Sequence, residues 1–245
     1  MIKRLLLTFL LLAATLFAVD ARLKNYPNAV QWEQEATKGD ADAMYNLGHT
    51  YQTKVKDFDK AIYWYKKAYE QDKGSDAANN IGYLYKEQKQ YDNAILWYQK
   101  AIAMNHALSS YNLAYLYDEI LKKPKEAIPY YKKAYSMGKV GSAHSLAYLY
   151  DETFKQPDKA KQWYEKAAKG GYKDSMNNLG VLYRDQGDNI HAGAYFLALI
   201  AYGEPKKDIL DFLKNDWKLD RDTLQKAYEL QKTLDIPKHY TGGID

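Results

Sequence analysis

The chain has 245 residues, 47% of them hydrophobic, enough for one large domain or a repeat array and enough apolar surface for a core. Its formal net charge of +4 is spread along the chain, which excludes the clustered basic surface of a nucleic-acid binder. The absence of cysteine excludes disulfides, thiol nucleophiles, cysteine-ligated zinc and a lipoprotein anchor.

Residues 1–21 read as an export signal. Met1-Ile2-Lys3-Arg4 is a basic start, and Leu5 to Val19 follow without charge, with only Thr8 and Thr15 polar. As a helix this stretch rises about 22 Å, short of the ~30 Å hydrocarbon core, so it fits the apolar part of a signal peptide better than a membrane span. Cleavage after Ala18 (Leu-Phe-Ala) and after Ala21 (Val-Asp-Ala) both fit, and the sequence does not choose. No second hydrophobic segment follows, so the mature chain is expected to be periplasmic or secreted, without stable membrane insertion.

Residues 22–40 should hold a leading helix, Asn28 to Lys38, because Trp32, Ala36 and Gly39 repeat the spacing of Trp163, Ala167 and Gly170. From residue 41 a period of about 33 takes over. A small residue recurs at Gly48, Gly82, Ala114, Ala147 and Gly180, each preceded by Leu or Ile and followed three residues later by tyrosine, from Tyr51 to Tyr183. A second series, Ala61, Ala94, Ala127, Ala160 and Gly193, steps by 33, with Trp64, Trp97, Tyr130, Trp163 and Phe196 three further on. Ala68, Ala101, Ala134 and Ala167 follow, and Ile200 breaks the rule.

Leu, small and Tyr at i, i+1 and i+4 share one face of a first helix, A; Ala, aromatic and Ala at i, i+3 and i+7 share one face of a second, B. One such hairpin cannot bury both faces, so neighbours must stack. Gly39, Gly74 and Gly170-Gly171 stand where B helices end and a left-handed cap is wanted. Pro124 and Pro157 fit first helical turns, whereas Pro129 inside B predicts a kink or a late start. The pairs Lys66-Lys67 and Lys132-Lys133 read as a solvated face. The spacing from the A-helix tyrosine to the first small B residue is nine in the second repeat (Tyr85 to Ala94) and ten in the others.

These phrases resemble the Sel1-like repeat family, a relative of the tetratricopeptide repeat. "GDADAMYNLGHTY" (39–51) and "AKQWYEKAAKGGYKDSMNNLGVLY" (160–183) carry the likeness, which covers roughly residues 28 to 203. It implies an all-α, right-handed α-solenoid of five Sel1-like helix-turn-helix repeats in an exported bacterial protein. The repeats fall at about 41–74, 75–106, 107–139, 140–172 and 173–203. Capping helices over 204–238 resemble the end of many such proteins, with Asp220 as N-cap of the last; 239–245 reads as a loose tail. The resemblance also implies that helix A lines a concave surface.

On that surface, two residues before the small residue, stand Asn46, Asn80, Asn112, Ser145 and Asn178. Three before it stand Tyr45, Asn79, Tyr111, His144 and Asn177, and one after it His49, Tyr83, Tyr115, Tyr148 and Val181. Carboxamides donate to and accept from peptide backbone, and tyrosines offer flat area at low entropy cost. The ladder (Asn46, Asn80, Asn112, Asn178, Tyr45, Tyr111, His144, Tyr83, Tyr115, Tyr148) suits a protein or an extended peptide; part of it also serves to hold neighbouring helices.

Catalytic and metal signals are weak by comparison, so no cofactor and no enzyme activity is expected. Asp118-Glu119 and Asp151-Glu152 close two A helices, but adjacent helical residues point about 100° apart and form no converged acid pair, so they read as solvated positions. The five histidines show no ligand spacing. Some members of the resembled family are described as binding or hydrolysing β-lactams, which makes a cell-envelope hydrolase of β-lactams or peptidoglycan the alternative. The only Ser-x-x-Lys, Ser136 to Lys139, lacks SDN and KTG companions.

Overall fold

The computed structural model describes residues 20–72 and 74–244. The export signal therefore lies outside the described residues, apart from Asp20 and Ala21. Every regular element among the described residues is helical, and the described residues divide into two compact units, one up to His106 and one from Ala107.

In the first unit a 3₁₀ turn, Ala21–Leu23, leads into α1 (Pro27–Ala36), α2 (Ala41–Thr50), α3 (Phe58–Gln71), α4 (Gly74–Glu87) and α5 (Tyr91–Ala103). α2 and α4 are A helices, α3 and α5 B helices. Polar caps set the starts: Asp40 accepts from the Ala43 amide at 2.8 Å, and Asp57 from the Lys60 amide at 3.0 Å. Gly39 ends the first turn at φ +98, as a left-handed cap requires. Gly74 does not act this way. It opens α4, buried, with its α-carbon facing the Met104 side chain.

The A and B helices meet at the small residues, but in the first unit the ring that lies on the junction glycine is not the aromatic three residues past the first small B residue; it is the tyrosine that follows it. Tyr65 and Tyr98 are fully buried, whereas Trp64 beside the first is half-exposed. A Cβ on Gly48 would stand 2.9 Å from the Tyr65 ring, and one on Gly82 2.7 Å from the Tyr98 ring. The glycines therefore let an aromatic face lie on the A-helix backbone.

The second unit contains α6 (Ala107–Tyr115), α7 (Pro124–Ser136), α8 (Gly141–Tyr148), α9 (Pro157–Lys169), α10 (Lys173–Asp185) and α11 (Asn189–Ala201). α12 (Lys206–Asp211) and α13 (Arg221–Gln231) follow. Pro124 and Pro157 begin α7 and α9 as predicted. α7 starts at Pro124 and continues through Pro129 to Ser136, so there is no late start. Tyr131 and Tyr164 take the buried position here. Leu213, Leu219, Leu224 and Ala227 join the core of this unit, which packs α13 on α11. Asp220 caps α13 by accepting from the Thr223 amide at 2.8 Å.

The tail is not loose. The Tyr240 amide donates to Gln231 Oε1 at 3.0 Å, Gln231 Nε2 donates to the Tyr240 carbonyl at 2.5 Å, and Ile244 is buried.

The A helices with ten-residue spacing close in a widened turn at Tyr51–Val55, Leu116–Ile120 and Leu149–Thr153. In it the Leu121 amide reaches the Leu116 carbonyl at 2.9 Å and the Phe154 amide the Leu149 carbonyl at 3.1 Å, an i to i+5 pattern. Left-handed Lys56, Lys122 and Lys155 then redirect the chain into the B helix. α4, with nine-residue spacing, needs no such turn, and α10 is followed by Gly187 at φ +82 instead.

Candidate functional site

The A-helix faces carry the predicted ladder, in two rows of different character. The inner row is partly consumed by the protein itself. Asn80 Nδ2 donates to the Tyr45 hydroxyl at 2.9 Å, and Asn79 Nδ2 to Asn80 Oδ1 at 3.3 Å. In the second unit Asn178 Nδ2 donates to the Tyr164 hydroxyl at 2.9 Å, and His144 Nδ1 lies 2.9 Å from Ser175 Oγ. Burial holds the His144 imidazole below its usual pKa, so it stays neutral. Tyr45 leans on Tyr65, ring centroids 5.3 Å apart, and Tyr111 on Tyr131 at 5.8 Å. Asn46 and Asn112 are half-buried in the same row.

The row one residue past the small position faces solvent. Tyr83 is 38% exposed, Tyr115 42%, Tyr148 52% and Val181 41%. These are among the few large apolar side chains left exposed, and they recur at the same place in successive A helices, so they are a surface feature of the repeat and not scattered accidents.

The second unit holds a cleft of about 260 Å³ on this face. Tyr111 and Tyr115 of α6, Tyr148 of α8 and Tyr131 of α7 line it, with His144 and Ser145 beside them. Asp118 and Glu119, on the widened turn after α6, also line it. Here the structure corrects the expectation of a solvated acid pair. Glu119 is exposed and paired with Lys122 at 3.1 Å, and Glu152 likewise with Lys155 at 2.9 Å. Asp118 and Asp151 are half-buried instead. The Tyr131 hydroxyl donates to Asp118 Oδ2 at 3.4 Å. Burial, reinforced by Glu119, pushes the Asp118 carboxyl above its usual pKa, and burial with Glu152 does the same for Asp151. Burial also drives the Tyr131 hydroxyl far above its usual value, so it remains a donor.

The buried B-helix tyrosines are the residues sequence reasoning passed over. Tyr65, Tyr98, Tyr131 and Tyr164 are 33 residues apart, a signal as regular as the tryptophans beside them. Ser136 and Lys139 form no nucleophile–base pair. Ser136 Oγ donates to the Lys133 carbonyl of its own helix at 2.8 Å, and Lys139 Nζ stands 5.7 Å from the Tyr111 ring centroid. Among the described residues no three of His, Asp and Glu gather as a metal ion needs. No helix among them is long and apolar enough to cross a membrane.

Comparison with known proteins agrees with the geometry. The family model described as Sel1 repeat matches residues 41–73 and 140–172. Models described as tetratricopeptide repeat match 75–106, 107–137 and 174–201. No curated protein matches the chain. Among solved structures, a protective antigen of uropathogenic Escherichia coli strains displaying an SLR fold is 26% identical, with a TM-score of 0.61. The match covers 84% of this chain and 48% of the antigen, so the chain spans about half that protein's length. A Sel1 repeat protein from Oxalobacter formigenes is 23% identical over 80% of this chain and 88% of its own, with a TM-score of 0.57. Pseudomonas aeruginosa PilF is 22% identical over 85% and 93%, with a TM-score of 0.53. Repeats of these kinds typically mediate protein–protein interaction and are generally non-enzymatic. With the hairpins, their glycine–tyrosine junctions and the repeat matches from residue 41 to 201 in agreement, the chain belongs to the Sel1-like, tetratricopeptide-like repeat family.

Proposed function

We propose that this protein is an exported, non-enzymatic scaffold that holds an extended protein segment along its A-helix faces. The observation that carries the reading is that the same exposed tyrosine recurs in each unit, Tyr83 in the first and Tyr115 and Tyr148 in the second, beside half-buried carboxamides. Apolar area on a hydrogen-bonding shelf is what an extended backbone with alternating side chains needs.

The test is capture from the periplasmic fraction. Replacing Tyr83, Tyr115 and Tyr148 together by alanine should abolish recovery of whatever co-purifies with the wild type and leave the helical circular dichroism unchanged. Tyr63→Ala, at an exposed tyrosine of α3, should have no effect. Capture that survives the triple change ends the reading.

Export is part of the same proposal, and Asp20 bears on where the signal is cut. Its carboxylate binds Arg22 at 2.7 Å and Lys60 at 2.5 Å and accepts from the Tyr51 hydroxyl at 3.0 Å. Cleavage after Ala21 would discard this network, and cleavage after Ala18 keeps it, so the network favours a mature chain beginning at Val19. The intact mass of the secreted form distinguishes the two; a chain retaining Met1 in the cytoplasm would refute export.

A further inference from the structure

We propose that the cleft between α6 and α8 is a receptacle for one cationic side chain, a lysine or arginine of the segment the scaffold holds; this deepens the reading above and rests on it. Asp118 carries a charge with no cation in direct contact. It is half-buried, and its side chain accepts a long hydrogen bond, 3.4 Å, from the Tyr131 hydroxyl. No lysine, arginine or histidine lies within 4.0 Å of it among the described residues; Lys122, whose charge acts on it from farther off, is paired with Glu119. A carboxylate drawn out of water without a counter-charge is costly, and a cation brought to it recovers that cost. The raised pKa of the group has the same cause: burial, reinforced by Glu119, outweighs the relief given by the Tyr131 hydroxyl and by Lys122.

The walls suit the ion as well as the floor does. Tyr111, Tyr115 and Tyr148 line the cleft, and aromatic faces attract cations, more strongly where water is displaced. One ring already does so here, with Lys139 Nζ 5.7 Å from the Tyr111 centroid.

The molecule also contains an occupied counterpart. In α4 the residue aligned with Tyr115 is Tyr83, and those aligned with Asp118 and Glu119 are Lys86 and Glu87. There Lys86 Nζ sits 4.5 Å from the Tyr83 ring centroid and 3.0 Å from Glu87 Oε1. At that position the chain supplies its own cation to a tyrosine face and a carboxylate. In α6 the lysine is replaced by aspartate, Glu119 takes Lys122 instead, and Asp118 with the Tyr115 ring is left for a cation of the held segment. The next A helix repeats only half of the arrangement. Asp151 is half-buried, but the Tyr164 hydroxyl is taken by Asn178 and the aromatic row ends at Val181.

The probe is a blocked heptapeptide, acetyl-Gly-Ala-Gly-Lys-Gly-Ala-Gly-amide, beside twins carrying arginine, norleucine or glutamate in place of lysine. Binding is followed by the tyrosine-ring NMR signals of the full mature protein. The lysine and arginine peptides should shift the Tyr111, Tyr115 and Tyr148 resonances and bind about tenfold more tightly than the norleucine twin, the effect expected of one charge-assisted contact. The glutamate twin should not bind. Asp118→Asn should erase the preference for the cation, whereas Asp151→Asn should leave it. Equal binding of norleucine, a preference that survives Asp118→Asn, or no shift at these rings would each overturn the proposal.

Failure here is separable from failure of the scaffold reading. Capture that depends on Tyr83, Tyr115 and Tyr148 without any preference for lysine removes the cation site and keeps the scaffold. An Asp118-dependent preference for lysine, with capture untouched by the triple change, does the reverse.

Discussion

In the first unit the hydroxyl of the buried Tyr65 donates to Gln52 Oε1 at 2.7 Å, while at the aligned place in the second unit the hydroxyl of Tyr131 donates to the Asp118 carboxylate at 3.4 Å. The scaffold is the same in both: a B-helix tyrosine reaches under the A helix to the residue that follows the A-helix tyrosine. In the first unit an amide completes the bond and leaves no charge. In the second a carboxylate receives one hydrogen bond and keeps its charge. The first unit does contain a carboxylate with partners in excess, Asp20, met by Arg22, Lys60 and Tyr51. Its pKa is held well below the carboxylate range, first by Arg22 and then by Lys60, whereas Asp118 is pushed up. The Asp20 charge is neutralised within the fold, and the Asp118 charge has no cation within 4.0 Å among the described residues.

The comparison can be broken most forcefully at Asp20. In a chain that begins at Val19, Asp20→Asn should lower the stability of the first unit by about 2 kcal/mol, since a nearly buried group loses its charge-assisted bonds. Hydrogen exchange in α2 and α3 reads the loss locally. The sign with pH follows from linkage: a depressed carboxylate contributes stability that is full above its ordinary value of 3.8 and is lost as pH falls through the lower folded value. Glu33, whose burial raises its pKa, works in the opposite direction in the same unit, so the variant and not an acid titration isolates Asp20. Little change on substitution would mean that the network is solvated and the contrast between the units unfounded.

A smaller effect belongs to the helix junctions. Gly82→Ala would bring a Cβ to 2.7 Å from the fully buried Tyr98 ring and should cost about 1–2 kcal/mol. In the second unit Ala114 and Ala147 occupy two of the aligned positions, while Gly180, at the third, lies against the Phe196 ring as Gly82 does against Tyr98; Ala114→Gly should cost about 1–2 kcal/mol, since the loss of a buried methyl adds to helix propensity. Urea denaturation reads both. A neutral Gly82→Ala would show that the α4–α5 junction is no closer than the alanine-bearing junctions of α6–α7 and α8–α9.

Much of this was legible in the sequence for one physical reason: a hairpin that cannot bury its own faces must repeat its apolar positions, so helices, junctions and caps recur together. What the period left undetermined was orientation. Trp64 and Tyr65 are adjacent, and spacing does not say which turns inward; the missing Cβ of Gly48 decides for the ring of Tyr65. The ten-residue spacing from Tyr117 to Ala127 was countable, but the widened turn that absorbs it was not. That turn is why Asp118, placed by straight-helix geometry among solvated residues, lies half-buried in a cleft. The ladder's two rows were likewise indistinguishable by residue type. Asn80 and Asn178 find partners inside the fold, while Tyr115 and Tyr148 do not cover themselves.

The finest test of the comparison is Asp118→Asn measured for stability instead of binding. Asparagine keeps the shape and an acceptor for the Tyr131 hydroxyl but removes the charge. A carboxyl with a raised folded pKa contributes stability that is full below its ordinary value of 3.8 and is lost as pH rises through the folded value, so at neutral pH the wild type carries the penalty. Solvent still reaches the group, which screens the effect, and the variant should be more stable by only about 0.5 kcal/mol at pH 7. The advantage should shrink as pH falls through the raised folded value and the wild-type carboxyl takes up its proton. The same substitution should weaken binding of the lysine probe. Opposite signs for stability and binding at one residue are what a site kept for a ligand, and not for the fold, must show. If Asp118→Asn destabilises at neutral pH, Asp118 is a structural partner of Tyr131, the second-unit counterpart of Gln52, and the difference between the units lies elsewhere.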